Sequence, residues 1–231
     1  EVVPENRRLG FQRENFDFHL PMGSLYRHFI TEISKDSAGD TYLIPDAGRI
    51  KYWHKRLKSL ARGPYIGISW KSSNMAPTRL PNYASIADLS PLLKIPDVTF
   101  INLQYKDFEN DLSTIKEELG VKVHNFDDLD HFENVDDVAA LSAALDTVVS
   151  TQSLVPLISA GVGTITKLAR WKQGPWSNML FEPVGPLVDI FERNTWEPWD
   201  DIFKSIAKDI ACQTENWRLK SKNLNDKGSV K

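Results

Sequence analysis

The sequence predicts an α/β protein, a Rossmann-like doubly wound parallel sheet with a partial helical lead-in. Three observations predict it. Short apolar runs alternate with amphipathic stretches of about ten residues between positions 63 and 192, the pattern of repeated βαβ units. Glycines and polar clusters punctuate the boundaries, as at Gly120 and Gly161. The balance of 41% hydrophobic and 26% charged residues over 231 positions is that of a globular chain with a core to bury. Right-handed crossovers then place helices on both faces of the sheet. Ligands of such sheets bind beyond the carboxyl ends of the strands.

Three zones are expected: a lead-in over 1–62, a Rossmann-like body over 63–212, and a frayed tail over 213–231. In the lead-in, residues 16–25 mix apolar and aromatic side chains, and a helical stretch covers 26–33. A second helix is predicted over 46–60, with Ile50, Trp53, Leu57 and Leu60 at helical spacing. The body opens with a buried strand over 65–70. A helix over 85–93 follows, with Ile86, Leu89, Leu92 and Leu93 on one face. The next strand covers 98–103, and a helix over 111–119 stops at Gly120. A short strand over 121–123 leads to a helix over 135–145, opened by Asp136 and Asp137. A strand over 147–150, a helix over 153–160 and a strand over 164–168 come next, with a sixth strand near 188–191. Asp200 and Asp201 suit the first turn of a last helix that reaches Cys212, with Ile202, Phe203, Ile206 and Ile210 facing the body. The tail is rich in Lys, Asn and Ser.

Charge and cysteine usage exclude several classes. The formal charge is −3 and the pI is near 6.0, which argues against a grip on nucleic-acid backbone. The one cysteine, Cys212, allows no intrachain disulfide and no Cys-rich zinc site, and a cytoplasmic location is expected. No apolar run approaches the ~20 residues of a membrane span. The first ten residues are polar, so no signal peptide is expected, and the missing initiator Met suggests a fragment or a trimmed chain.

Candidate site residues gather at expected strand ends. After the first strand stand Ser69, Trp70, Lys71 and Ser72, with Arg79 in the following loop; a cation beside hydroxyls suits phosphate. After the second stand Gln104, Tyr105 and Asp107, an acid for ribose hydroxyls and groups that face a base. After the third, Phe126 lies in a stretch with His124, His131 and several aspartates. That spacing reads as helix capping and a base-binding loop, and no metal site is expected. After the fourth, Thr151, Gln152 and Ser153 precede a helix with Pro156 near its start, a turn suited to diphosphate. Each group also has a plain structural reading as a solvated loop, a capped helix or a packed ring. Late tryptophans, among them Trp171, Trp176, Trp196 and Trp199, are read chiefly as packing, with sugar stacking as the second reading. No Gly-x-Gly-x-x-Gly follows the first strand, and neither a P-loop nor a Gly-x-Ser-x-Gly elbow occurs.

Taken in order, Tyr65-Ile-Gly-Ile-Ser-Trp-Lys71, Phe100-Ile-Asn-Leu-Gln-Tyr105 and Ala144-Leu-Asp-Thr-Val-Val-Ser150 with Thr151-Gln152-Ser153 resemble the carboxyl-terminal half of GT-B glycosyltransferases. The nearest likeness is to bacterial proteins in which tetratricopeptide repeats precede a glycosyltransferase-like region, some tied to flagellin modification. Heptosyltransferases and protein O-GlcNAc transferases are more distant relatives. The resemblance implies two Rossmann-like domains about a cleft, the second binding a nucleotide-diphosphate sugar for transfer to a protein or glycan hydroxyl. It makes residues 1–62 the remnant of the first domain and His19 the candidate catalytic base. It places Lys71 near the diphosphate, Thr151-Gln152-Ser153 at the phosphate-facing turn and Asp107 near the ribose. It implies no cofactor and no metal, with a tetratricopeptide region in the parent protein. Two positions depart from the pattern. Pro156 stands where heptosyltransferase-like members often carry His, and Thr151 replaces an aspartate. The competing expectation is a non-catalytic binding or scaffold module on the same fold. A phospho-accepting receiver domain is disfavoured, because Lys71 and Ser72 stand where its acidic cluster would be.

Overall fold

The computed structural model describes residues 41–72, 76–77, 80–172, 187–194 and 197–228, with the side chains of the last helix described through Thr214. His19 and Arg79, expected in the site, lie outside the described residues, as do the helical stretch expected at 26–33 and the tryptophans Trp176 and Trp196.

Helix α1 covers Ala47–Leu60, and Asp46 caps it by accepting the Arg49 backbone N–H at 2.7 Å. Strand β1 is Tyr65–Ser69 and β2 is Thr99–Asn102, with the short helix α2 at Ser90–Leu93 between them. The helix expected over 85–93 is confined to its last turn because Pro91 donates no N–H. Helix α3, Glu109–Leu119, ends at Gly120, whose φ of 66° is the left-handed stop that glycine favours. Strand β3 is Val123–His124, helix α4 is Val135–Ala143 and β4 is Thr147–Thr151. Helix α5 is Val155–Gly161, β5 is Thr166–Trp171, β6 is Val188–Arg193 and α6 is Asp200–Gly228.

Several boundaries differ from expectation, most of all at β5 and α6. Strand β5 starts two residues later, at Thr166, because Thr164 is held in the preceding turn by its backbone bond to Ser159 and its hydroxyl bond to Ser142 O, and it runs on to Trp171, which pairs with Arg193 of β6. Helix α6 passes Cys212 and reaches Gly228, so the tail expected from 213 is helical backbone through that point. No Pro or Gly interrupts the chain between 213 and 227, and Gly228 is the first glycine after Cys212.

All the strand pairs are parallel, and the order is β3-β2-β1-β4-β5-β6. This is the doubly wound arrangement in which strand order reverses between β1 and β4. Alternate side chains feed two cores. On one face Ile66, Ile68, Phe100 and Val149 meet α2, α3 and α6 through Leu92, Ile115, Phe203 and Ile206. On the other, Ile101 and Val148 meet α1, α4 and α5 through Trp53, Leu57, Leu141 and Ile158. Both faces are covered, which is why the strands read as unbroken apolar runs. At the centre of β1 a Cβ on Gly67 would come within 2.6 Å of Leu103 and 2.7 Å of Leu145, so this position has no room for a side chain.

Two buried charge clusters lock helices to the sheet. Asp137, in the first turn of α4, accepts the Trp53 indole N–H and the Arg49 Nε–H, both at 2.8 Å, and so ties α1 to α4. The Lys167 ammonium, 1% exposed on β5, bonds Asp189 of β6 at 2.5 Å and also Asp209 of α6. Burial alone would push that ammonium down; the two carboxylates outweigh it and hold Lys167 above the usual lysine range. Among the described residues no helix is long and apolar enough to cross a membrane.

Candidate functional site at the carboxyl edge of the sheet

The strand-order reversal brings together two segments that are about eighty positions apart in sequence. Ser69 and Ser150 are register partners at the ends of β1 and β4. Trp70, Lys71 and Ser72 therefore leave the sheet beside Thr151, Gln152 and Ser153. Open α/β sheets bind ligands at this crevice.

On the β4 side, Thr151 is 1% exposed, and its Oγ1 is buried with no hydrogen-bond partner among the described residues. Native structures leave few such groups, and each calls for an explanation. Ser150 Oγ donates to Thr151 O at 2.8 Å, and Ser153 Oγ accepts the Val155 N–H at 3.2 Å. Gln152 and Ser153 are buried too. On neighbouring β5, the Trp171 indole N–H is a second buried donor without a partner among the described residues. Two unsatisfied polar groups thus sit on adjacent strand ends.

On the β1 side, Lys71 Nζ bonds Asp111 Oδ2 at 2.7 Å, and the same oxygen accepts the Trp70 indole N–H at 2.7 Å. The cation expected to face phosphate is therefore held by the first turn of α3. Ser72 Oγ and Tyr105 Oη lie 2.6 Å apart, and the Tyr105 ring stacks on Phe132 with centroids 6.2 Å apart. Lys106 Nζ sits 3.9 Å from the centre of the Phe132 ring.

Gln104 and Phe126 depart from their expected roles. Gln104 is fully buried. Its Oε1 accepts from Ser69 Oγ, Trp70 N and Lys71 N, each at 3.1 Å. It stitches the end of β1 to β2 and has no acceptor capacity left for a base. Phe126 is 4% exposed with its ring 4.9 Å from Trp53, because the loop after β3 folds back under α1. It belongs to the core and does not face a ligand. Asp107 is exposed at the edge with φ 51°, and among the described residues no partner places its carboxylate.

The residues around His131 form a network. His131 Nε2 lies 3.1 Å from Asn102 O, and Asn102 Nδ2 donates to Asn125 Oδ1 at 2.9 Å. Burial, the largest influence, pushes the His131 imidazolium below the usual histidine range. The aspartates nearby are spent on other tasks: Asp128 on Arg56, and Asp130 on the N–H groups of Phe132 and Glu133. Among the described residues no three His, Cys, Asp or Glu side chains converge as a metal-binding set.

Two cations at this edge were not among the sequence candidates. Arg170, near the end of β5, bonds Glu192 at 2.8 Å, and Arg193, the last residue of β6, donates to Pro81 O at 2.6 Å and stacks on Trp199. The signal that marked Lys71, a cation at a parallel strand end, applies equally to them. It was hidden because β5 and β6 were expected to stop at 168 and 191.

No protein-family model matches the chain. Among curated proteins, Protein FlbA of Caulobacter vibrioides is 30% identical over 206 residues, covering 86% of this chain and 34% of FlbA. The chain thus spans about a third of the length of that relative. Among solved structures, the E. coli ADP-heptose LPS heptosyltransferase II aligns with a TM-score of 0.53 at 15% identity, over 75% of this chain and 54% of that one. The glycosyl transferase family 9 protein of Veillonella parvula aligns with a TM-score of 0.54 at 11% identity, over 74% and 47%. At these identities the likeness is one of fold. The chain has the Rossmann-like architecture found in these glycosyltransferases, and it spans about half of each.

Proposed function

We propose that this chain is the donor-binding half of a glycosyltransferase. It would bind a nucleoside-diphosphate sugar in the β1/β4 crevice for transfer to a protein or glycan hydroxyl. The observation that carries the reading is the Ser69–Ser150 register at the strand-order reversal, with the unpartnered Thr151 hydroxyl beside it. In this reading Thr151, Gln152, Ser153 and Ser72 supply donors to the diphosphate. Lys71 exchanges Asp111 for the phosphate oxygens, and the cation stabilises the leaving group as the glycosidic bond breaks. Asp107 and Tyr105 meet the ribose or base. Inverting transfer also needs a base to take the acceptor proton. His19 is the candidate, with Arg79 as a second cation. No metal is needed if side chains neutralise the diphosphate. A tetratricopeptide region in the parent protein, a flagellin-type acceptor and a cytoplasmic location belong to the same reading.

The two solved neighbours carry glycosyltransferase names, and one is named for ADP-heptose. ADP is therefore the first ligand to test. Isothermal titration with ADP, UDP, GDP and CDP, without metal and then with Mg²⁺, is expected to show micromolar binding of one of them. That binding should weaken at least tenfold in Lys71→Ala. Silence from all four nucleotides refutes donor binding by this chain.

One observation favours a second reading, a non-catalytic scaffold on the same fold. Lys71 and Arg170 are both already paired with acids, Asp111 and Glu192. A scaffold would leave those pairs intact and give no thermal shift with any nucleotide sugar.

A further inference from the structure

The opposite edge of the sheet carries a cleft that the donor-binding reading does not use. It has a volume of about 750 Å³ and lies among the end of α1, the start of β1 and the turn before β4. Lys51, Lys55, Lys58 and Arg62 line it, over a floor that includes Gly63 and Tyr65. The segment from Ala47 to Pro64 holds six Lys or Arg and no Asp or Glu, in a chain whose net charge is −3. Arg49 and Arg56 are taken up by Asp137 and Asp128. The four cleft cations are exposed and make no ion pair with any described residue. The one acid in the lining, Asp146, already accepts the Tyr65 backbone N–H at 2.8 Å.

The spacing of these cations is informative. Positions 51, 55 and 58 follow a 4-3 pattern, which draws one stripe along α1, and Arg62 follows two residues past the helix end at Leu60. At 1.5 Å per residue the three helical cations span about 10 Å. Like charges at these spacings repel and weaken the helix, and an anion laid along them relieves that repulsion. The cations stand on long flexible stems, and the cleft contains the carboxyl end of α1, whose free carbonyls repel anions. That arrangement does not suit one compact phosphate. It suits an elongated anion that meets several cations in turn. An extended polypeptide crosses about 10 Å in three residues, and every second side chain faces the same way.

A nucleic-acid strand fits less well. Single-strand sites add aromatic faces for base stacking. Here the Tyr65 hydroxyl is tied to Ala61 O at 2.8 Å, and the Tyr52 ring is covered by Arg49 at 4.4 Å. A long polyanion also feels the whole molecule's negative charge. A short acidic segment feels chiefly the stripe, within a Debye length of about 10 Å.

We propose that this cleft docks an acidic polypeptide segment along the Lys51–Arg62 stripe. The test is fluorescence anisotropy of the 231-residue chain with a labelled ten-residue Glu-rich peptide and, separately, a charge-matched oligothymidylate. The peptide is expected to bind, to weaken as salt rises, and to lose at least tenfold in affinity in Lys55→Gln/Lys58→Gln. Both changes are at exposed positions, and an unchanged thermal midpoint verifies the fold. Absence of peptide binding, or equal affinity in wild type and variant, overturns the site. Tighter binding of the oligothymidylate overturns the polypeptide assignment.

Discussion

Thr151→Val separates the two things that a buried, unpartnered hydroxyl does. Valine keeps the branched shape that suits the end of a strand and replaces Oγ1 with a methyl group. In the folded chain that oxygen is buried without a partner among the described residues. A buried polar group in this state costs about 1–3 kcal/mol, so removing it is expected to stabilise the ligand-free chain by about 1–2 kcal/mol. For a domain of this size that is a rise of about 2–8 °C in Tm. Nucleotide binding moves the other way. A hydrogen bond to a charged group contributes about 1.5–3 kcal/mol, so loss of the diphosphate contact should weaken affinity by about 10- to 150-fold. Thermal or urea unfolding and titration calorimetry on the same preparations read both signs. A lower Tm in the variant refutes the premise that the hydroxyl is unsatisfied. A higher Tm with unchanged affinity refutes its role toward ligand.

Three further outcomes follow from the packing and charge already described. Phe126→Ala removes a core ring packed on Trp53 and should cost about 3–5 kcal/mol in urea unfolding without a selective loss of nucleotide affinity; a stability loss below about 1 kcal/mol would contradict the core placement. Asp189→Ala/Asp209→Ala strands the buried Lys167 ammonium and should cost about 3–5 kcal/mol, whereas Lys167→Met should cost much less; equal losses would refute the argument. His131 is held below the usual histidine range by burial, so its contribution is fully present above the unfolded value near pH 6.5. It is lost as pH falls from there through the folded value, and His131→Gln should lose less stability than wild type between pH 7.5 and 5.5. His124 is lowered in the same direction by burial and by Lys122, so part of the acid loss should survive in that variant.

The candidate site was legible where a residue's position along a strand is enough to place it. Ser69, Lys71, Thr151, Gln152 and Ser153 are expected at strand ends, and the parallel register puts Ser69 beside Ser150, where the two segments leave the sheet. Side-chain direction was not legible. Gln104 and Phe126 stand at strand ends too, yet one is consumed by three donors and the other turns into the core. Polarity marks a loop as solvated, but it does not say which of its groups closes on its neighbours. Phe126 held a warning, since an apolar ring beside aspartates is more often packing than platform.

The sequence alone determined the alternation of strand and helix, because each element needs its own apolar period and both faces of a parallel sheet must be covered. It also determined the stop at Gly120, which is a local backbone matter. Only the tertiary structure decided the partners of the charges. Lys71 meets Asp111 across 40 positions, and Asp137 meets Arg49 and Trp53 across more than 80. Only the tertiary structure separated the six cations between Ala47 and Pro64 into two that are paired and four that line the cleft. The physical reason is range. Propensity and periodicity act within a turn or a strand, whereas an ion pair is chosen by whichever elements the two cores bring together.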